Sequence, residues 1–257
     1  MSIALAPEAS APPAAAEVAL ERVGVRFDFD RRSRVVTPVL AHLRRIRTTA
    51  WGLRGVDLRL EPGAGLALVG PTGSGKTTLL RILAGVLPAD EGSVAVHGRV
   101  GSLLATEVGL QAMLTGRENS LLLGVLAGLS MAETRARMDE IAARAKLGDA
   151  FDRPIHTYSQ GMRARLHLAA IQSVSAQVLL LDEVFEALDH EFRGIVETYA
   201  RELRERGGIV VAAGHDHTAL ERICPRALWL DGGRVRGEGP FAEVVPAYRG
   251  ARPPEPD

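Results

Sequence analysis

Residues Gly70–Thr78 read GPTGSGKTT, directly after the apolar run Leu66–Val69 and directly before a helical pattern of Thr78, Leu79, Leu80, Ile82 and Leu83. This is G-x-x-x-x-G-K-[ST] between a buried strand and a helix. A polyphosphate needs several donors converging on one small volume. Glycines at 70, 73 and 75 let backbone N–H groups approach the β- and γ-phosphates where a Cβ would collide. Lys76 adds a point charge, Thr77 offers a hydroxyl to Mg²⁺, and the following helix presents its positive end. Gly70, Pro71, Thr72, Gly73, Ser74, Gly75, Lys76, Thr77 and Thr78 are therefore the expected phosphate-binding set. A Gly-rich turn that binds nothing is the alternative, and the strand–loop–helix context argues against it.

Composition narrows the class further. The 257 residues allow one large domain or two small ones, with ample core in either case. Lys+Arg and Asp+Glu both number 31, so no overall field favours nucleic acid or anionic lipid. Cys224 is the single cysteine and cannot form an internal disulfide; it reads as a small buried hydrophobe. No apolar stretch reaches the roughly 18 residues of a spanning helix. Residues 1–16 read as a disordered Ala/Pro-rich extension and 249–257 as a loose tail.

Apolar runs at Val18–Leu20, Val56–Leu60, Leu66–Val69, Val94–Val96, Val178–Leu181, Ile209–Ala213 and Ala227–Leu230 are the strand candidates. Several are unbroken, as parallel strands covered on both faces are. Helical patterns lie between them; the clearest carries Phe192, Ile195, Val196, Tyr199 and Leu203 and stops at Gly207-Gly208. The alternation predicts an α/β fold with a largely parallel sheet. From Gly101 to about 175 the character turns helical, with a capping box at Ser130-x-x-Glu133 and a helix over Met131–Leu147 ending at Gly148. That reads as a helical subdomain inserted in a nucleotide-binding core. Phe27–Trp51 is long for a loop and carries Arg44, Arg45 and Arg47, either a solvated face or a contact with lipid headgroups or a membrane partner.

The strand Val178–Leu181 delivers Asp182 and Glu183 at its polar end. Asp182 is placed to hold Mg²⁺, and Glu183 to act as general base on, or orient, a water in line with the γ-phosphate. In Tyr158-Ser159-Gln160-Gly161-Met162, Ser159 occupies a helix N-cap and Gly161 exposes backbone N–H groups. This is a second anion-receptive helix start. Two such sites in one chain make sense if two copies pair head to tail, Ser159 and Gly161 of one closing over the nucleotide on the other's Lys76.

The order phosphate loop, helical insert, S-x-G-M, LLLDE, Leu188-Asp189 and Gly214-His215-Asp216 resembles an ATP-binding cassette (ABC) ATPase over about Val18–Tyr248. The resemblance implies a P-loop NTPase of ABC type: a mostly parallel central sheet, an antiparallel β region and the helical insert, within an ATPase domain at 17–248. It also implies that Ser159, Gln160, Gly161 and Met162 act in trans, that Asp189 belongs to a loop touching the opposite subunit, and that His215 contacts the γ-phosphate. Leu114–Asn119, Tyr158–Leu166 and Val244–Tyr248 further resemble the polysaccharide-export ATPases of the Wzt, teichoic-acid and capsule type. That likeness implies a homodimer using ATP and Mg²⁺ on the cytoplasmic face of the membrane. Its partner would be a separate integral-membrane permease and its cargo a lipid-linked glycan, with no nucleic acid involved. A drug or lipid exporter, and more distantly a non-transport ABC ATPase, are the alternatives.

The chain also departs from the pattern. Thr106 stands where ABC proteins place a glutamine that senses Mg²⁺ and the permease, with Glu107 beside it and Gln111 downstream; which of them couples is left open. Gln160 replaces the usual glycine of the signature, and the linker Phe185-Glu186-Ala187-Leu188 is unusual. Phe27 best fits the adenine-stacking aromatic by position; Phe29 is the other candidate, and either could be core.

Overall fold

The computed structural model describes residues 15–30, 47–104 and 110–251. Two sheets sandwich a helix. The smaller is antiparallel, with β1 (Glu17–Asp30) between β2 (Arg47–Leu60) and β4 (Glu91–His97). The larger has six strands: β5 (Val100–Leu103), β6 (Val178–Asp182), β7 (Ile209–Ala213), β3 (Gly65–Val69), β8 (Arg226–Asp231) and β9 (Arg234–Pro240), in that spatial order. Pairing is parallel throughout except at β8–β9.

The unbroken apolar runs are the strands buried on both faces. In β3, Leu66 and Leu68 face α1 (Lys76–Leu83) and the antiparallel sheet, while Ala67 and Val69 face the layer of α7 (His190–Glu205), α8 (His217–Ile223) and α9 (Phe241–Ala251). β6 and β7 divide their residues the same way. Each fully buried leucine or valine contributes about 1.5–3 kcal/mol. α7 starts at Asp189, whose carboxylate accepts from Phe192 N, and ends before Gly207 at φ 83°. Between β5 and β6, α2 (Gly116–Leu126), α3 (Met131–Ala136), α4 (Met138–Ala145) and α5 (Gln160–Ser173) pack around Ile141, Phe151, Tyr158 and Leu166.

Several expectations change. The strand predicted at Val56–Leu60 begins at Arg47, and the one at Val18–Leu20 continues to Asp30, so both ends of the supposed long loop Phe27–Trp51 are arms of one antiparallel pair. Polar and glycine residues hide that pair, because one face of an antiparallel sheet tolerates water. Residues 31–46, with Arg44 and Arg45, lie outside the described residues, as do the side chains of Phe29 and Arg47. Helical character does not start at Gly101, which lies in β5, an edge strand of four residues too short to show a period. The helix over Met131–Leu147 is broken at Arg137, whose guanidinium turns to donate to the Ser173 carbonyl at 2.6 Å, closing the end of α5. It stops at Ala145, where Lys146 takes the left-handed conformation, rather than at Gly148. α9 runs on to Ala251, past the expected start of the tail, and buries Phe241, Val244, Val245 and Tyr248. No helix among the described residues is long and apolar enough to cross a membrane.

Candidate nucleotide site

Parallel pairing puts the C-terminal ends of β3, β7 and β6 side by side on one edge of the sheet. Crevices outside such strand ends are where α/β sheets bind ligands. The loop Gly70–Gly75 leaves β3 here and returns as α1. Its glycines are dictated by close approach: a Cβ on Gly70 (φ 147°) would fall 2.1 Å from Leu230 O, and one on Gly75 (φ 108°) 2.5 Å from Gly52 O. Lys76 is buried, and its ammonium donates to the carbonyls of Gly70 (2.7 Å) and Pro71 (3.1 Å), curling across the mouth of the loop. Burial lowers its pKa, while the charges of Asp182 and Glu183 oppose that shift.

Asp182, at the end of β6, is buried beside α1. Burial raises its pKa, and a hydrogen bond from the Thr77 side chain works against the rise. Its Oδ1 is buried without a hydrogen-bond partner. A buried orphan carboxylate oxygen next to a threonine hydroxyl is a pair of hard oxygen donors, the chemistry Mg²⁺ takes when it also holds phosphate. The residues therefore fit a magnesium ion. Ser74 Oγ is a second buried orphan, inside the phosphate loop itself. Such groups call for an explanation, and a polyphosphate supplies one.

Glu183 follows in the left-handed region, φ 53°, held there by its amide donating to Ala213 O at 2.9 Å. For a non-glycine residue this costs about 1–2 kcal/mol. The strain turns the carboxylate out of the sheet edge to where Oε1 lies 3.6 Å from His215 Nε2, both side chains being exposed. His215 itself follows β7. Glu183 and His215, 32 residues apart in the chain, thus meet at the sheet edge.

Ser159 caps α5, its hydroxyl accepting from Met162 N at 3.2 Å. Ser159 and Gln160 are exposed, and the first turn carries no acidic residue to offset the helix dipole. No hydrogen bond or ion pair among the described residues joins Ser159–Met162 to the loop Gly70–Thr78 of the same chain. Gln160 does share a cavity of about 170 Å³ with Asp182, Glu183, Arg163 and His167. Arg165, on α5, pairs with Asp189 and lies over the Phe192 ring at 4.2 Å. The Phe192 amide, foremost, and Arg165 lower the pKa of Asp189.

Phe27 is half-buried and lies against Gly52, where an added Cβ would meet the ring at 2.5 Å and the Thr78 methyl at 3.2 Å. It therefore stands beside the first turn of α1. Sequence reading passed over the neighbouring Trp51, whose ring lies 5.3 Å from the guanidinium of Arg54 and 5.5 Å from that of Arg26. Thr106 and Glu107 lie outside the described residues. The backbone of Gln111 is pinned by Asn119, whose Oδ1 accepts from Gln111 N at 2.7 Å and whose Nδ2 donates to Gln111 O at 3.1 Å. His217 was also missed: Arg249 donates to its Nδ1 at 3.1 Å and Tyr248 meets its ring edge-on, so α9 braces the loop that carries His215. Burial, then Arg249, lower its pKa. His167 is a core histidine whose pKa burial brings to about 4, and Cys224 is buried with its thiol pushed up to about 12.

Residues 53–186 match the family model for the ABC transporter. Similar proteins include the O-antigen export system ATP-binding protein RfbB of Myxococcus xanthus, 37% identical over 77% of this chain and 46% of that protein. The RfbB of Klebsiella pneumoniae is 35% identical, over 77% of this chain and 81% of its own length. The teichoic acids export ATP-binding protein TagH of Lactiplantibacillus plantarum is 34% identical, over 77% and 54%. The chain thus spans about half the length of two of these relatives. Among solved structures, the dimeric post-hydrolysis state of the ATP-binding cassette MJ0796 with ADP and Pi superposes with a TM-score of 0.70 at 22% identity, covering 87% of this chain and 98% of that one. At that identity the likeness concerns the fold.

Proposed function

The chain belongs to the ABC transporter family, and on that premise we propose that it is the ATP-hydrolysing subunit of an exporter. It dimerises on MgATP and drives a lipid-linked polysaccharide through a separate membrane permease, from a peripheral position on the cytoplasmic face. The observation that carries this reading is the convergence of Lys76, Asp182, Glu183 and His215 at the ends of three adjacent parallel strands. The O-antigen and teichoic-acid export named for its relatives supports a glycan over a drug or lipid cargo.

The residues divide the chemistry. Backbone N–H groups of Thr72–Thr78 and the Lys76 ammonium, released from Gly70 O, take the β- and γ-phosphates. Thr77 and Asp182 would hold Mg²⁺, which when bound neutralises phosphate charge. Glu183 orients a water and takes its proton, while His215 donates to the γ-phosphate. Phe27 lies under the adenine. Ser159 and Gly161 of a second copy complete the shell only on closure, which makes ATP affinity depend on the closed state; differential affinity of this kind transmits work. Asp189 lies in the loop facing that copy. An apolar groove between α1, β5, α2 and α5, with Val86 and Leu126 exposed on its rim, takes the permease; His167 lines both this groove and the cavity at the acidic pair. The test is co-purification of a multi-span permease from membranes, its loss in Leu126→Glu, and accumulation of lipid-linked glycan on deletion. A chain that hydrolyses ATP but pulls down no membrane protein would exclude the transport role.

A further inference from the structure

The short helix α6 (Val184–Ala187), between the acidic pair and Asp189, carries a glutamate, Glu186, that the nucleotide chemistry above does not use. Its placement is specific. β6 and β7 pair up to Asp182 and Ala213, and the ladder makes one further bond, Glu183 N to Ala213 O at 2.9 Å. There the strands part. On the β7 side the amide of His215 donates to Glu186 Oε1 at 2.9 Å. A side-chain carboxylate thus continues the ladder where backbone no longer reaches. The carboxylate lies directly over Gly214, where an added Cβ would stand in ordinary contact, 3.4 Å from the same oxygen.

We propose that Glu186 is a positioning residue for His215, fixing the backbone of the histidine so that its ring faces Glu183 and the γ-phosphate. This rests on the assignment of His215 to hydrolysis made above. The hydrogen bond is charge-assisted, the strong class. It acts at the root of a side chain that is itself exposed and whose ring lies 3.6 Å from Glu183. A second tie runs parallel: Arg193 of α7 donates to Leu188 O at 2.9 Å and lies 3.6 Å from Asp216, the residue after His215 and the cap of α8. The Glu183–Asp189 and Gly214–Asp216 segments are therefore laced at two points. Motion of the loop expected to face a second copy is transmitted directly to the histidine. The requirement is an acceptor at position 186, to which the charge adds strength.

The experiment compares Glu186→Ala, Glu186→Gln and His215→Ala, singly and combined, with steady-state ATP hydrolysis and amide hydrogen exchange resolved at residue 215. Glu186→Ala should lower kcat about tenfold, the scale of one charge-assisted hydrogen bond, with KM for ATP little changed. Exchange at the His215 amide should quicken by a similar factor. Glu186→Gln, whose amide oxygen accepts the same N–H, should restore both to within about threefold. In the His215→Ala background, Glu186→Ala should cost almost nothing more, since both act through one residue. Unchanged exchange in Glu186→Ala, a glutamine variant as slow as alanine, or losses that multiply in the double mutant would overturn the proposal. Normal hydrolysis by His215→Ala would instead remove the site reading beneath it, independently of the exchange result.

Discussion

Lys76 Nζ donates to the carbonyl oxygen of Gly70, 2.7 Å away and six residues back in the chain, so the only cation of the phosphate loop is satisfied by the loop's own backbone. Nucleotide exchanges that bond for phosphate oxygens. Lys76→Ala should weaken ATP binding by roughly 10–100-fold, the range for a hydrogen bond to a charged group. Calorimetric titration with ATP reads this directly. Affinity equal to wild type would contradict the phosphate role.

Glu183→Gln keeps the shape of the strained turn and removes the base. Turnover should fall about 10²–10⁴-fold with ATP affinity preserved. Because closed dimers then cannot hydrolyse their way open, size-exclusion chromatography with MgATP should show a dimer peak that wild type lacks.

Ser159→Ala removes the N-cap of α5, costing about 1 kcal/mol of stability. The larger effect is on association. ATP should still bind the monomer, but the ATP-dependent dimer of a Ser159→Ala/Glu183→Gln protein should be lost. A dimer that persists would take Ser159 out of the partner's site.

Phe27→Ala should weaken ATP binding by about 1–3 kcal/mol, the range measured for one base on one aromatic ring, and GTP binding almost equally. Phe27→Tyr should bind as wild type does. An alanine variant with normal affinity would make Phe27 a core residue and turn attention to Trp51.

Asp182 combines burial with an unpartnered oxygen, so its folded-state pKa is raised above the ordinary carboxylate value. The folded protein then holds a proton more tightly than the unfolded chain. Stability of the nucleotide-free protein should accordingly fall as pH rises from the usual carboxylate range through the raised pKa. Asp182→Asn, which keeps the Thr77 contact, should melt higher than wild type at pH 7 without ligand and flatten that pH dependence. It should also lose Mg²⁺-dependent hydrolysis. A lower melting temperature would show that the charge is compensated.

Local chemistry made much of this legible in the amino-acid sequence alone. Glycines at 70, 73 and 75, the run before Asp182, the serine cap at 159 and the stripe of α7 each encode a conformation within a few residues. The parallel α/β class follows from runs of apolar residues that only two-sided burial explains. The β1–β2 arms and β5 escaped because a half-solvated or four-residue strand has no period to read. What lies close across the sheet was beyond reach as well. That the Glu186 carboxylate ends at the amide of His215, that Arg165 reaches Asp189 and that Arg249 braces His217 depend on which strands pair and how far their ladders run. A one-dimensional pattern encodes each turn but not the spacing between turns, and the sheet order β6–β7–β3 alone brings those three loops to one edge.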